Sequence, residues 1–114
     1  MSGGFGEIME KDPSGRPLPR VQLFEERGLT SRFVDAEILQ SGALVISGQD
    51  VGEAPEKWFG DSDYEWWVTV RAEDKDRVLL ALIEEIFGGR FHASDEFREW
   101  LKTKGIPNQF DCYY

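Results

Sequence analysis

The sequence predicts an α+β domain: a four-stranded, mostly antiparallel sheet with two C-terminal helices on one face. Three observations carry this. Four segments before residue 72 alternate apolar and polar residues or are rich in β-branched and aromatic ones, the mark of strands. Two segments after residue 72 repeat apolar residues at helical spacing. Strands come first and helices later, the order of a fold whose helices gather on one side of an antiparallel sheet.

Each element has its own warrant. Residues 1–19 hold four glycines and three prolines and show no apolar period, so a flexible arm is expected there, with a single α+β domain over 20–114. "RVQLFEER" (Arg20 to Arg27) alternates, with Val21, Leu23 and Glu25 on one side and Gln22, Phe24 and Glu26 on the other. "SRFVDAEILQ" (Ser31 to Gln40) fits a strand with Val34, Ala36 and Ile38 inward better than it fits a helix. Ser41–Gly42 then makes a hairpin turn into "ALVISGQD". Residues 51–60 read as a loop or one short helix, with Pro55 suited to a first helical turn. Tyr64 to Arg71 is the fourth strand. Tyr64, Trp66, Val68 and Val70 form its core set, and Glu65, Trp67, Thr69 and Arg71 face the other way.

The first helix follows from Leu79, Leu82, Ile83 and Ile86 at i, i+3, i+4 and i+7, with Glu73, Asp74 and Asp76 near its positive end and Gly88–Gly89 as its stop. Glu84 and Glu85 sit near its negative end, balanced by solvent or by Arg90. The second helix is expected from about Asp95 to Lys104. Ser94 is its N-cap, Phe97, Trp100 and Leu101 its apolar stripe, and Gly105 and Pro107 its stop. The tail "NQFDCYY" alternates weakly, enough for a short strand.

Composition excludes several functions. A chain of 114 residues with 40% hydrophobic and 13% aromatic residues buries enough surface to fold without metal or disulfide. Thirteen bases against 22 acids leave a net charge of −9, which repels nucleic-acid backbones and anionic membrane surfaces and suits a basic protein partner. No apolar run is long enough for a membrane span, Ser2 stands where N-myristoylation needs glycine, and a lone cysteine forms no internal disulfide. A cytoplasmic location is expected.

Catalytic chemistry finds little material. His92 is the sole histidine and Cys112 the sole cysteine, with nothing in the sequence to activate either. There is no nucleophile elbow and no phosphate loop, and no cofactor is expected. The richest stretch is "GQDVGEAPEKWFGDSDYEWW". Between Asp50 and Glu65 it holds six acids and one lysine. Asp61, Asp63 and Glu65 imitate the start of a calcium loop, but Trp66 stands at the required glycine and Ala72 at the closing glutamate. A looser magnesium or calcium site on Asp50, Asp61 and Asp63, running a metal-assisted reaction, is the enzymatic alternative. A solvated acidic loop is the plainer one.

The aromatic residues point to binding. If Trp66 faces the core, Trp67 faces the opposite side, and Phe24 and Phe33 are expected to join it there. Such a patch marks an interface unless the arm, the tail or a second copy of the chain covers it. With Asp61, Asp63 and Glu65 alongside, the expected role is non-catalytic binding of a basic protein, as by an acidic antagonist of the immunity or antitoxin kind.

The residues Gly48, Gln49, Asp50, Gly52, Gly60, Asp63, Tyr64 and Glu65, with the later "FREWLKTKGIP", carry a resemblance. Over roughly residues 30 to 110 the chain resembles a family of small uncharacterised bacterial proteins with a GQD-x-G turn and an acidic entry to an aromatic strand. No activity is established for that family. The resemblance implies a bacterial cytoplasmic protein; the residue types themselves lead us to expect Gly48 and Gly52 in turns and Asp50 bonded to a neighbouring backbone amide.

Overall fold

A computed structural model describes residues 19–53 and 63–113. The expected arm lies outside them except for Pro19, and so do Trp58, Gly60 and Asp61. The chain divides into two compact units, Met1–Asp76 and Arg77–Tyr114.

In the first unit four strands form an antiparallel meander: β1 (Arg20–Glu26), β2 (Thr30–Ile38), β3 (Leu44–Gly52) and β4 (Asp63–Val70), side by side in that order. The β2–β3 hairpin closes as expected at Ser41–Gly42. Leu39 donates to Ala43 at 2.8 Å, Gly42 donates to Leu39 at 2.8 Å, and Gly42 supplies a φ of +91° that a side chain would resist. Two helices follow, α1 (Ala72–Phe87) and α2 (Ala93–Thr103), which completes the α+β arrangement.

Cross-strand partners share a face, so the register sorts the side chains. Trp66 stands opposite Gly48, and Gly48 opposite Val34. Trp67 stands opposite Ser47, and Ser47 opposite Asp35. The two indoles therefore lie on opposite sides of the sheet, and these sides are called the Trp66 face and the Trp67 face. Phe33 is opposite Gln49, which is opposite Glu65, all on the Trp67 face. Phe24 is a correction. It pairs with Val34, so it shares the Trp66 face. The cause is a β-bulge between Gln22 and Phe24, where one extra residue reverses the alternation of β1.

Burial concentrates in β3, one of the two strands paired on both sides. Val45 is 4% exposed and Ser47 4%. The set Tyr64, Trp66, Val68 and Val70 does share one face, but it is not a closed core, for Val68 is 59% exposed. The stripe on α1 also forms without being buried: Leu79, Leu82 and Ile86 are all more than half exposed.

Gly48 is a strand residue rather than a turn residue. A methyl group built on it would overlap the Trp66 indole, which lies against its backbone. Gly52 has a φ of +130°, and a methyl there would collide with the Leu29 carbonyl. That same carbonyl accepts the Glu53 N–H at 3.2 Å.

In the second unit, Arg90 donates to the Ile86 carbonyl at 3.2 Å and to Glu96 at 3.2 Å. It thus caps the end of α1 instead of pairing with Glu84 or Glu85. Phe87 meets Phe97 edge to face with centroids 5.6 Å apart. The helix α2 begins earlier than expected. His92 is its N-cap and makes no side-chain cap bond, so Ser94 is already inside the helix. Its end is a Schellman closure: Gly105 at φ +67°, Gly105 N–H to Lys102 O at 3.1 Å, and Ile106 N–H to Leu101 O at 3.0 Å. Beyond it, residues 106–113 form no strand.

Gly48→Ala is expected to cost about 1–3 kcal/mol, the penalty of overpacking an aromatic contact. Gly28→Ala, whose methyl would meet nothing closer than 3.8 Å, should change stability far less. Urea denaturation of both variants checks this; equal effects would show that the Trp66–Gly48 contact does not constrain the sheet.

Candidate functional site

Three consecutive residues of β3 divide the work of the two faces. Gly48 receives Trp66. Asp50 accepts two hydrogen bonds from Arg32, Nε to Oδ1 at 2.7 Å and Nη2 to Oδ2 at 2.7 Å. The same guanidinium lies 5.1 Å from the Trp66 ring centroid, and Tyr64 packs beside Trp66 at 5.6 Å. Donating to Asp50 pushes the Arg32 pKa above its already high ordinary value, against the opposing effect of desolvation. Asp50 thus binds a guanidinium across the ladder, not the backbone amide expected from the motif.

Gln49 alone of the three turns to the Trp67 face. Its Nε2 donates to Asp63 at 2.9 Å. Around it this face carries a cavity of about 240 Å³, lined also by Arg20, Gln22, Phe33, Asp35, Ser47, Gly48 and Glu65. Arg20 donates to Asp35 at 2.9 Å and to Glu37 at 3.5 Å. Glu25, opposite Phe33, is held below its ordinary carboxyl range by a hydrogen bond from Gln22 and then by Arg27. The Arg27 guanidinium lies 5.1 Å from the Phe33 centroid. Trp67 stands on the same face, 51% exposed.

Of the residues expected to meet a partner, Trp67, Phe33, Asp63 and Glu65 are brought to this face. Phe24 is on the other, and Asp61 lies outside the described residues. The acids weighed for a metal do not all converge. Asp50 is opposite Tyr64 and Asp63 is opposite Val51, which places the two carboxylates on opposite sides of the sheet. Both oxygens of Asp50 are already bonded to Arg32. Among the described residues no group of three His, Cys, Asp or Glu side chains is placed to hold a metal ion. His92 is largely exposed, 3.5 Å from Asp95, and Cys112 is an exposed thiol.

Sequence reasoning missed Ser47, Gln49, Gln22, Asp35 and Arg20. A signal existed for two of them. Ser47 and Gln49 are polar residues two apart in a central strand, so alternation sends both to one face, where polar groups need partners. No helix among the described residues is long and apolar enough to cross a membrane.

Asp50→Asn should lower stability by about 1–2 kcal/mol, the range for a hydrogen bond to a charged group reduced by solvent screening of the half-exposed Arg32. Thermal and urea unfolding measure it, and an unchanged midpoint would show that the pair does not hold β2 to β3.

No protein-family profile, no curated protein and no solved structure matches the chain.

Proposed function

We propose that this chain is a non-catalytic binding module that meets a basic protein through the Trp67 face of its sheet. The observation that carries the reading is Trp67 itself: a large aromatic residue, 51% exposed, on the same face as Phe33, Asp63 and Glu65. Aromatic anchors ringed by polar groups contribute most of the binding energy at protein interfaces. A net charge of −9 steers a cationic partner toward the chain, and the carboxylates of this face give the encounter its orientation. An acidic antagonist of a basic protein, of the immunity or antitoxin kind and acting in the bacterial cytoplasm, is the concrete form of this proposal.

The test uses a synthetic Arg/Lys-rich peptide and calorimetry on the full chain. Binding should weaken as salt rises. Trp67→Ala and Glu65→Lys should each weaken it about tenfold, or about 1.4 kcal/mol. Phe24→Ala should leave it unchanged, because that ring is on the other face. Trp67→Ala should also cost less than about 1.5 kcal/mol in folding stability. A loss of about 3 kcal/mol or more would mark a ring packed inside the fold and would overturn the proposal. So would binding that ignores Trp67 and Glu65. Sedimentation at several concentrations tests the homodimer: association abolished by Trp67→Ala would assign this face to a second copy instead.

A further inference from the structure

The cavity on the Trp67 face has hydrogen-bonding capacity left over, and nearly all of it is of one kind. Gln49 uses its Nε2 on Asp63, which leaves its Oε1 as an acceptor. Gln22 uses its Nε2 on Glu25, which leaves its Oε1 likewise. Arg20, the one cation among the described residues of the wall, directs donors at Asp35 and Glu37. Ser47 is the most telling member. The residue is 4% exposed and lines the cavity, and its hydroxyl has no partner among the described residues. Among the described residues no fully enclosed side-chain polar atom lacks a hydrogen bond, so the Ser47 oxygen keeps some accessible surface on a residue that lines the cavity.

The chemistry of an occupant follows. Among the described residues two carboxylates, Asp35 and Glu65, and one guanidinium line the wall, so an anion is disfavoured. An apolar side chain would strip water from Ser47, Gln49 and Gln22 without replacing it. A donor-rich cation satisfies all three. Phe33 adds an aromatic wall and already attracts one guanidinium, that of Arg27. A guanidinium is planar, weakly hydrated and offers five donors, whereas an ammonium is a strongly hydrated point with three.

We propose that this cavity receives an arginine side chain of the protein partner, with its guanidinium against Phe33 and its N–H groups donated to Ser47 Oγ, Gln49 Oε1 and Glu65. The proposal rests on the binding reading above and names the residue type that the face selects.

The experiment is an NMR titration of the full chain with Nα-acetyl-arginine methylamide, with its lysine counterpart, and with two peptides that differ only in arginine or lysine at one position. The arginine compounds should shift the Ser47 and Gln49 backbone signals and the Gln49 side-chain amide. They should do so at about fivefold lower concentration than the lysine compounds, a difference of about 1 kcal/mol. Ser47→Ala and Glu65→Gln should each remove most of that preference with spectral dispersion unchanged; if Ser47→Ala does not fold, Glu65→Gln alone carries the test. Equal shifts by arginine and lysine at this face would sink the arginine assignment and leave the binding module standing. Shifts by the free arginine amide but not by the arginine peptide would make the cavity a small-molecule site and overturn the partner assignment. If neither peptide binds, the binding reading itself falls and the inference goes with it.

Discussion

The Trp66 indole against the bare backbone of Gly48 is the contact on which the rest of this sheet depends. It fixes which side of β4 faces which side of β3, and so which face carries Trp67, Glu65 and Asp63. A slip of β4 by one residue would exchange its faces and set Trp67 in place of Trp66 against Gly48. The same contact explains why a glycine, weak in strands, sits in the middle of the most buried strand of the chain. There the glycine is needed for the space it leaves, and its freedom of φ is irrelevant.

The two faces differ in how completely they satisfy themselves. On the Trp66 side, Arg32 is held by both oxygens of Asp50 and stacked near the indole, so the charged groups there answer one another. On the Trp67 side the amides and the serine retain acceptors that no other described residue meets. That asymmetry locates a site more sharply than the count of acidic residues does. Acidic residues occur all along this sequence, whereas these acceptors gather around one cavity of the Trp67 face.

Much of the fold was legible before the structure. Alternation gave four strands, helical spacing gave two helices, and Gly105 before Pro107 marked a helix end that proves to be a Schellman closure. What escaped has identifiable causes. The bulge in β1 carries no glycine to announce it, because Leu23 is an ordinary strand residue, and so Phe24 was assigned to the wrong face. The start of α2 was set by the best capping side chain, Ser94, while the backbone turned helical at Ala93 with His92 at the cap and no side-chain bond. The GQD motif was read as turn chemistry because Gly and Asp favour turns. In the sheet each of its residues answers a cross-strand partner that lies 14 to 18 positions away, a relation that local propensity does not encode. The cavity followed the same rule, since Gln22, Phe33, Asp35, Ser47 and Glu65 come from four strands and meet only through register.

The bulge beside Leu23 has one more effect. It falls on β1, whose residues are all exposed and which forms a rim of the sheet. A kinked rim offers a poor template for an incoming strand, while β4 at the opposite rim has an unbroken ladder with β3. Endless stacking of copies requires two receptive borders. A sheet with one blunted border is a poor unit for such growth, and here the blunting comes from the same irregularity that turned Phe24 around.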